Sequence, residues 1–382
     1  MSKVENERRA TWLELFYDLV FAAAVAELGI SLYTNYTTLA SFLGTVLLFF
    51  PVCWTWIGVT FYAARFETDD VIHRVLVLLQ MGGAAALALN IHGALGETSF
   101  NFAISYAVIR ALLVIEYIRA AYKIPAARPF AMRYAQGFFI STTLWLISAM
   151  IPMPERFVLW ILALAIDLIT TILIGRKHVQ LAPNIFYLPE RMGIFTLIVL
   201  GETIFGLISS LSGHKWDFES MTCMGAGLSI AFSLWWIYFD KIDGSVIRVF
   251  RDHGKMGLYM TWLYAHFPLV IGLCATAAGI RHLISANQST NLPYLDQWLI
   301  CGSVALCLFS IGVIHLSMSN PSGEKKLLMR LSFYRFIAGF AIILIPILGF
   351  AMLPILLILI ISVICIIQIL LDLKHHPHHR IF

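Results

Sequence analysis

The chain is short of charge. Only 13% of its 382 residues are Asp, Glu, Lys or Arg, against about 25% in an average soluble domain. Sixty per cent are hydrophobic and the mean hydropathy is +0.83. Such a composition cannot cover a water-facing surface, which excludes a soluble globular protein. Cysteine is sparse as well. Cys53, Cys223, Cys274, Cys301, Cys307 and Cys365 fall in apolar segments and none forms a CxxC pair, so they read as small packing residues rather than a disulfide or metal set. HExxH and Gly-x-Ser-x-Gly are absent, and no catalytic pair stands at a membrane surface, which speaks against a lipid-cleaving enzyme. The first apolar segment is broken by acids and followed by no small-residue cleavage site, so it does not read as a signal peptide.

What is present is a series of apolar runs of about 18–25 residues, the length a helix needs to cross about 30 Å of hydrocarbon. The runs predict spans near 11–31, 39–63, 71–93, 101–122, 131–151, 156–175, 191–211, 218–240, 256–281, 295–318, 328–348 and 352–373. Between them lie Pro, Gly, Asn and Ser clusters: Pro125 to Pro129, Pro152-Met153-Pro154, Pro183 with Pro189, Asn287 to Pro293, and Ser319 to Gly323. The expected fold class is therefore all-α, a polytopic membrane protein of about twelve transmembrane helices.

Loop charge tests that count. With the N-terminus inside, Lys3, Arg8, Arg9, Arg65, Arg74, Arg119, Lys123, Arg128, Arg133, Arg176, Lys177 and Arg191 all fall on the cytoplasmic side. Lys241, Arg248, Arg251, Lys255, Lys325, Lys326, Arg330, Lys374 and Arg380 follow them. Arg156, Lys215 and Arg281 fall opposite. A bias of about 21 to 3 is a strong positive-inside signal, and one helix more or fewer would scramble it. Both termini are expected on the cytoplasmic side. The net charge of +4 is spread over short loops, so nucleic acid is not an expected partner.

An even count allows two parallel six-helix halves, 1–180 and 181–382, within one membrane domain. Trp54-Thr55-Trp56-Ile57 echoes Trp235-Trp236-Ile237, and Met132-Arg133 echoes Met329-Arg330. Glu14 and Glu27 in the first span have counterparts in Glu190 and Glu202 in the seventh. Parallel repeats of this kind occur in carriers that bind substrate near the midplane.

Charged side chains inside a span cost about 2.5–3.5 kcal/mol each at the helix centre, so they mark function or pairing. The first span carries Glu14 and Asp18 at i, i+4, and Glu27 half a turn of azimuth away and about 14 Å higher at 1.5 Å per residue. Counted from the flanking basic loops, Glu202, Asp167 and His266 lie about 16 Å deep, and Arg110 and Arg335 about 14 Å. These five therefore share a central slab. Counting Asp18 and Glu27 with Glu202 and Asp167, four deep carboxylates against two arginines suggest that an acid is protonated part of the time, the chemistry of a proton-coupled carrier. The plainer reading is that each arginine locks helices together by pairing with an acid. Glu202, flanked by Gly193, Gly201 and Gly206, is the leading site, with neighbouring backbones expected to approach closely there. His266 reads more simply as a packing histidine. In Arg65-Phe66-Glu67-Thr68-Asp69-Asp70-Val71-Ile72-His73-Arg74, Asp69 or Asp70 can cap the third span and Asp70 can pair with Arg74. Asp69, Asp70 and Arg74 are thus candidates for a cytoplasmic gate, with helix capping as the simpler alternative. The tail His375-His376-Pro377-His378-His379 reads as a basic end, and no metal or cofactor site is expected.

At Trp12-Leu13-Glu14-Leu15-Phe16-Tyr17-Asp18-Leu19-Val20-Phe21 the chain closely resembles the bacterial low temperature requirement protein A (LtrA) family. Three further blocks agree: Arg65-Phe66 through Asp69-Asp70 with Arg74; Tyr106 with Arg110; and Glu190-Arg191-Met192-Gly193-Ile194-Phe195 through Leu200-Gly201-Glu202. The resemblance implies a polytopic bacterial inner-membrane protein with no settled activity. The chain departs from the family pattern at Glu27, where glutamine is usual, and at Tyr187, where histidine is common; the second departure weakens any metal-site reading there.

The expected function is a secondary carrier or ion pathway for a small solute or ion, with membrane lipids as its surroundings. Glu202, with Asp167 or Asp18, would bind the proton or cation, and Arg110 would be counter-ion or anion-binding group. A membrane-embedded enzyme on a lipid substrate and a structural or sensory membrane protein are the alternatives.

Overall fold

A computed structural model describes residues 8–34, 38–66, 68–177, 184–211, 217–242, 244–318, 325–350 and 352–375. Glu67, the expected boundary at 180/181 and the histidines beyond His375 lie outside the described residues. The helices are α1 (Trp12–Thr34), α2 (Leu39–Ala63), α3 (Val71–Leu89), α4 (Ser99–Lys123), α5 (Arg128–Met150), α6 (Glu155–Lys177) and α7 (Tyr187–Leu211). They continue with α8 (Phe218–Phe239), α9 (Ser245–His253), α10 (Met256–Tyr264), α11 (His266–Ser285), α12 (Tyr294–Ser317), α13 (Lys325–Ile347) and α14 (Pro354–His375). No strand occurs among the described residues.

Counting α10 and α11 as one stretch, Met256–Ser285, eleven of these helices are long and apolar enough to cross a membrane. The remaining expected span is α5, whose 23 residues reach about 34 Å at 1.5 Å per residue. It is more polar than the others, carrying Arg128, Arg133, Gln136 and three hydroxyl residues, Ser141 to Thr143. Outward-facing apolar stripes support a lipid environment: on α14, Leu356, Ile360, Val363, Ile367 and Leu370 are exposed at helical spacing, as are Val71, Ile72, Val75, Leu78 and Leu79 on α3.

Local chemistry sets the ends. The Thr38 side chain accepts from the Ser41 amide and the Ser41 hydroxyl accepts from the Thr38 amide, a capping box for α2. Asp70 and Asp217 cap α3 and α8. Gly349, between α13 and α14, adopts φ +67°, a left-handed turn that glycine enters without a Cβ penalty. Pro268 has no N–H to offer the Tyr264 carbonyl, and the chain breaks there into α10 and α11. The short amphipathic helix α9, with Val246, Ile247 and Phe250 buried, falls where only a basic loop was expected.

The chain forms two compact units. The first comprises Met1–Ser31, Thr37–Ile194 and Ile247–Met256; the second comprises Leu32–Tyr36, Phe195–Val246 and Gly257–Phe382. In the first, α4 packs on α2, α3 and α5, and α5 packs on α6. Aromatic stacking ties α4, α5 and α6 together: ring centroids are 4.0 Å apart for Tyr106–Trp145, 4.8 Å for Trp145–Trp160 and 5.1 Å for Tyr117–Tyr134. In the second, α12 packs between α11 and α13, and α14 on α8 and α13. Gly272 and Gly279 let α11 approach α12 closely: a Cβ at Gly279 would lie 3.0 Å from the Ile300 Cα, and one at Gly272 2.7 Å from the Cys307 Sγ.

Candidate functional site

In the first unit, ionisable side chains run inward from one end. That end gathers the chain before α1, the α2–α3 connection, the C-terminus of α4 and the N-terminus of α7. The Arg8 Nη1 donates to the Ala63 carbonyl (2.5 Å), and the Asn184 amide donates to the Ala64 carbonyl (3.4 Å). Glu14 accepts from the Tyr187 hydroxyl at 2.6 Å and from the Thr11 amide at 2.7 Å, with Arg8 at 3.4 Å. One turn further in, Asp18 Oδ1 accepts from Arg191 Nη2 at 2.6 Å and from the Trp56 indole N–H at 2.7 Å. Asp18 is 0% exposed and Arg191 1%.

Deeper still, Arg110 Nη2 meets Asp167 Oδ1 at 2.7 Å, both fully buried. The Tyr106 hydroxyl donates to Asp167 Oδ2 at 3.4 Å, and the Arg110 guanidinium lies over the Phe138 ring, 4.1 Å from its centroid. Buried Glu116, beside this pair on α4, takes the His73 ring at 2.7 Å and the Gln80 amide at 3.2 Å. Helix order explains why these acids tolerate burial: each is met by a donor from a different helix, so desolvation is offset by charge-assisted bonds.

Backbone depth misleads for arginine. Arg110 starts near the middle of α4, but its Nη1 lies 2.7 Å from where a Cβ on Gly58 would be. Gly58 stands five residues from the end of α2, about 8 Å along the axis. The head group thus reaches toward the polar end, as long side chains do. Arg335 behaves similarly in the second unit. It meets Asp372 at 3.0 Å and His315 Nδ1 at 2.7 Å, and Asp372 is three residues from the end of α14. The predicted central slab therefore gathers backbones more than functional atoms.

Other predicted residues separate from this set. Glu202, half-buried, belongs to the second unit. Two of its neighbouring glycines do not bring backbones together: a Cβ on Gly201 would meet nothing within 4 Å, and one on Gly206 would meet the Arg281 side chain at 2.8 Å. His266 is buried with both ring nitrogens engaged, Nδ1 by the Trp262 carbonyl (2.8 Å) and Nε2 by the Tyr238 hydroxyl (3.1 Å). Glu27 is partly exposed and sits 2.7 Å from the His92 Nε2. Asp70 does not pair with Arg74 as the i, i+4 spacing suggested. Its carboxylate caps α3 through the His73 amide at 2.9 Å and takes Arg119 and Lys123 from α4, leaving Arg74 to Asp69 at 2.8 Å. The residues missed from the sequence are Arg191, counted there as a loop charge, with Tyr17, Trp56, His73, Glu116, Gln80, His315 and Asp372. Glu116 and Asp372 could have been found as acids within apolar runs.

Among the described residues no three His, Cys, Asp or Glu converge as a metal-ligand group. At the loop, Lys123 and the α3 amide hold the Asp70 carboxyl below its ordinary range, and Arg74 does the same for Asp69. A carboxyl depressed in the folded state contributes stability above its unfolded pKa of about 3.9 and loses it as pH falls through the folded value. Asp70→Asn should therefore flatten the acid limb of a thermal-stability profile below about pH 4. Identical limbs in variant and parent would show that the Asp70 contacts do not couple to folding.

Lipid-facing helices around buried acid–arginine pairs define a polytopic integral membrane protein. Within that class, the chain belongs to the bacterial low temperature requirement A protein (LtrA) family, whose sequence model matches residues 9–370. The uncharacterized protein RA0937 of Rhizobium meliloti (strain 1021) is 29% identical over 294 residues, covering 72% of this chain and 69% of that protein. No solved structure matches the chain.

Proposed function

We propose that this protein is a secondary carrier or ion pathway, not an enzyme, and that its coupling carboxylates are Asp167 and Asp18 in the first unit. The observation that carries the reading is the Arg110–Asp167 pair, 2.7 Å apart and wholly excluded from the surface. A carboxylate paired this way switches an arginine between bound and released when it takes a proton, and ionisable residues inside membrane helices serve such relays. The sequence expectation placed the coupling acid at Glu202; the dense set of buried pairs favours Asp167 instead. The excess of basic residues on the loops at the Glu14 end supports an inner-membrane orientation with both termini cytoplasmic.

The test is proton influx into pyranine-loaded proteoliposomes under a valinomycin-set potassium potential. The parent protein should acidify the lumen faster than protein-free vesicles, Asp167→Asn should lower the rate at least tenfold, and Glu202→Gln should retain it. A parent rate equal to that of empty vesicles overturns the pathway; loss with Glu202→Gln alone returns the coupling site to α7.

A further inference from the structure

Several atoms of the first unit's charged core have no hydrogen-bond partner among the described residues: Arg110 Nε and Nη1, Arg191 Nε and Nη1, and the Tyr17 hydroxyl. Their side chains are at most 1% exposed. A buried donor left unmade costs about 1–3 kcal/mol, so a cluster of them calls for an occupant. The two arginines are not loose. Arg110 is fixed by Asp167 on one edge and Phe138 on one face, and Arg191 by Asp18. Each presents its remaining edge ready-made. Tyr17 precedes Asp18 on α1; Asp18 holds Arg191 and the Trp56 indole, and two residues along α2 from Trp56 stands Gly58, beside Arg110 Nη1. Beside Arg110 Nη1 the α2 backbone is bare, because Gly58 carries no Cβ.

The kind of occupant follows from the atoms. A guanidinium offers only donors. Water accepting from it must place its own hydrogens, and beside these groups the spare carboxylate oxygens are Asp18 Oδ2 and Asp167 Oδ1, fewer than the free N–H groups of the two guanidiniums. An anion accepts from every side and needs no acceptor in return. Forked N–H edges suit oxygens held in a plane or tetrahedron. We propose that Arg110, Arg191 and Tyr17 form a binding site for a compact monovalent oxyanion, of the carboxylate type, that enters together with one proton.

This rests on the carrier reading and names its substrate class. The proton requirement comes from charge balance. The facing charged groups are Arg8, Glu14, Asp18, His73, Arg110, Glu116, Asp167 and Arg191; the two buried arginines are already matched by Asp18 and Asp167, while Glu14 faces Arg8 and Glu116 faces the His73 ring. A single added negative charge is neutralised when one of those two carboxylates is protonated. Anion affinity should therefore rise as pH falls, by up to tenfold per pH unit where one proton is taken up.

Equilibrium dialysis of radiolabelled acetate against the purified full-length protein, at constant ionic strength and pH 5.5, 6.5 and 7.5, tests the site. Saturable binding that tightens with acid is expected. Tyr17→Phe, which removes only the hydroxyl, should weaken it about tenfold, the worth of one charge-assisted hydrogen bond. Gly58→Ala should weaken it independently by crowding Arg110 Nη1. Both variants should remain folded and monodisperse. The proposal is overturned by absence of saturable binding in the folded parent, by binding that Tyr17→Phe leaves unchanged, or by preference for phosphate over acetate. Proton influx without acetate binding would sink the site and leave the pathway standing. Acetate binding without influx would leave the site standing and remove the anion-free proton pathway.

Discussion

Asp167→Ala should destabilise the protein by about 3–5 kcal/mol, because removing one member of a buried pair leaves its partner charged and unmatched. Arg110 would lose its ion-pair partner and keep the Phe138 ring against one face. The double variant Arg110→Met with Asp167→Leu should recover most of that loss, since apolar residues of similar volume often replace a buried pair without cost. Stability and transport would then part: the double variant should melt near the parent yet carry no proton influx. Detergent-solubilised protein followed by thermal and denaturant unfolding, beside the vesicle assay, supplies both readings. A loss of under about 1 kcal/mol for Asp167→Ala would mean that water reaches Arg110 and that the pair is not dry. A double variant that still conducts would make the pair purely structural.

The helices were legible because the bilayer imposes their length, and apolar runs of about 20 residues have few other uses. All the expected spans coincide with helices within a few residues, including α5, whose polar content removes it from a composition-based count. The helix α9 was not legible: nine residues carry too little periodicity to separate an amphipathic turn from a basic loop. Site residues divide along the same line. Glu14, Asp18, Arg110 and Asp167 could be picked out one by one, since a charge in an apolar run is conspicuous in any single segment. Their partners could not. Asp18 finds Arg191 from a position 173 residues away, and nothing local in either segment specifies the other. Counting depth from the backbone also failed for arginine, because a side chain several ångströms long puts its charge elsewhere, as with Arg110 beside Gly58 and Arg335 beside Asp372. Glycines near Glu202 suggested close helix approach, yet Gly206 makes room for Arg281 instead. A small residue marks space without saying what fills it.

Asp18 should prove more demanding than Glu202, although the sequence favoured the latter. Asp18→Ala removes the acceptor of both Arg191 and the Trp56 indole, so a loss again near 3–5 kcal/mol is expected, most of it from the stranded guanidinium. Asp18→Asn keeps an oxygen for Trp56 but cancels the charge facing Arg191, so it should recover only the indole's share of that loss, about 1 kcal/mol. Glu202→Gln changes a half-buried group that water can still serve, which limits the effect to about 1 kcal/mol. The predicted order of destabilisation is therefore Asp18→Ala, then Asp18→Asn, then Glu202→Gln, measured as unfolding midpoints in one detergent. Reversal of the last two would mean that α7 beyond Ile194 holds the more tightly buried charge. The first order carries a mechanistic consequence. Asp18 joins α1, α2 and α7 through one carboxylate, so a proton arriving there loosens three helices at once.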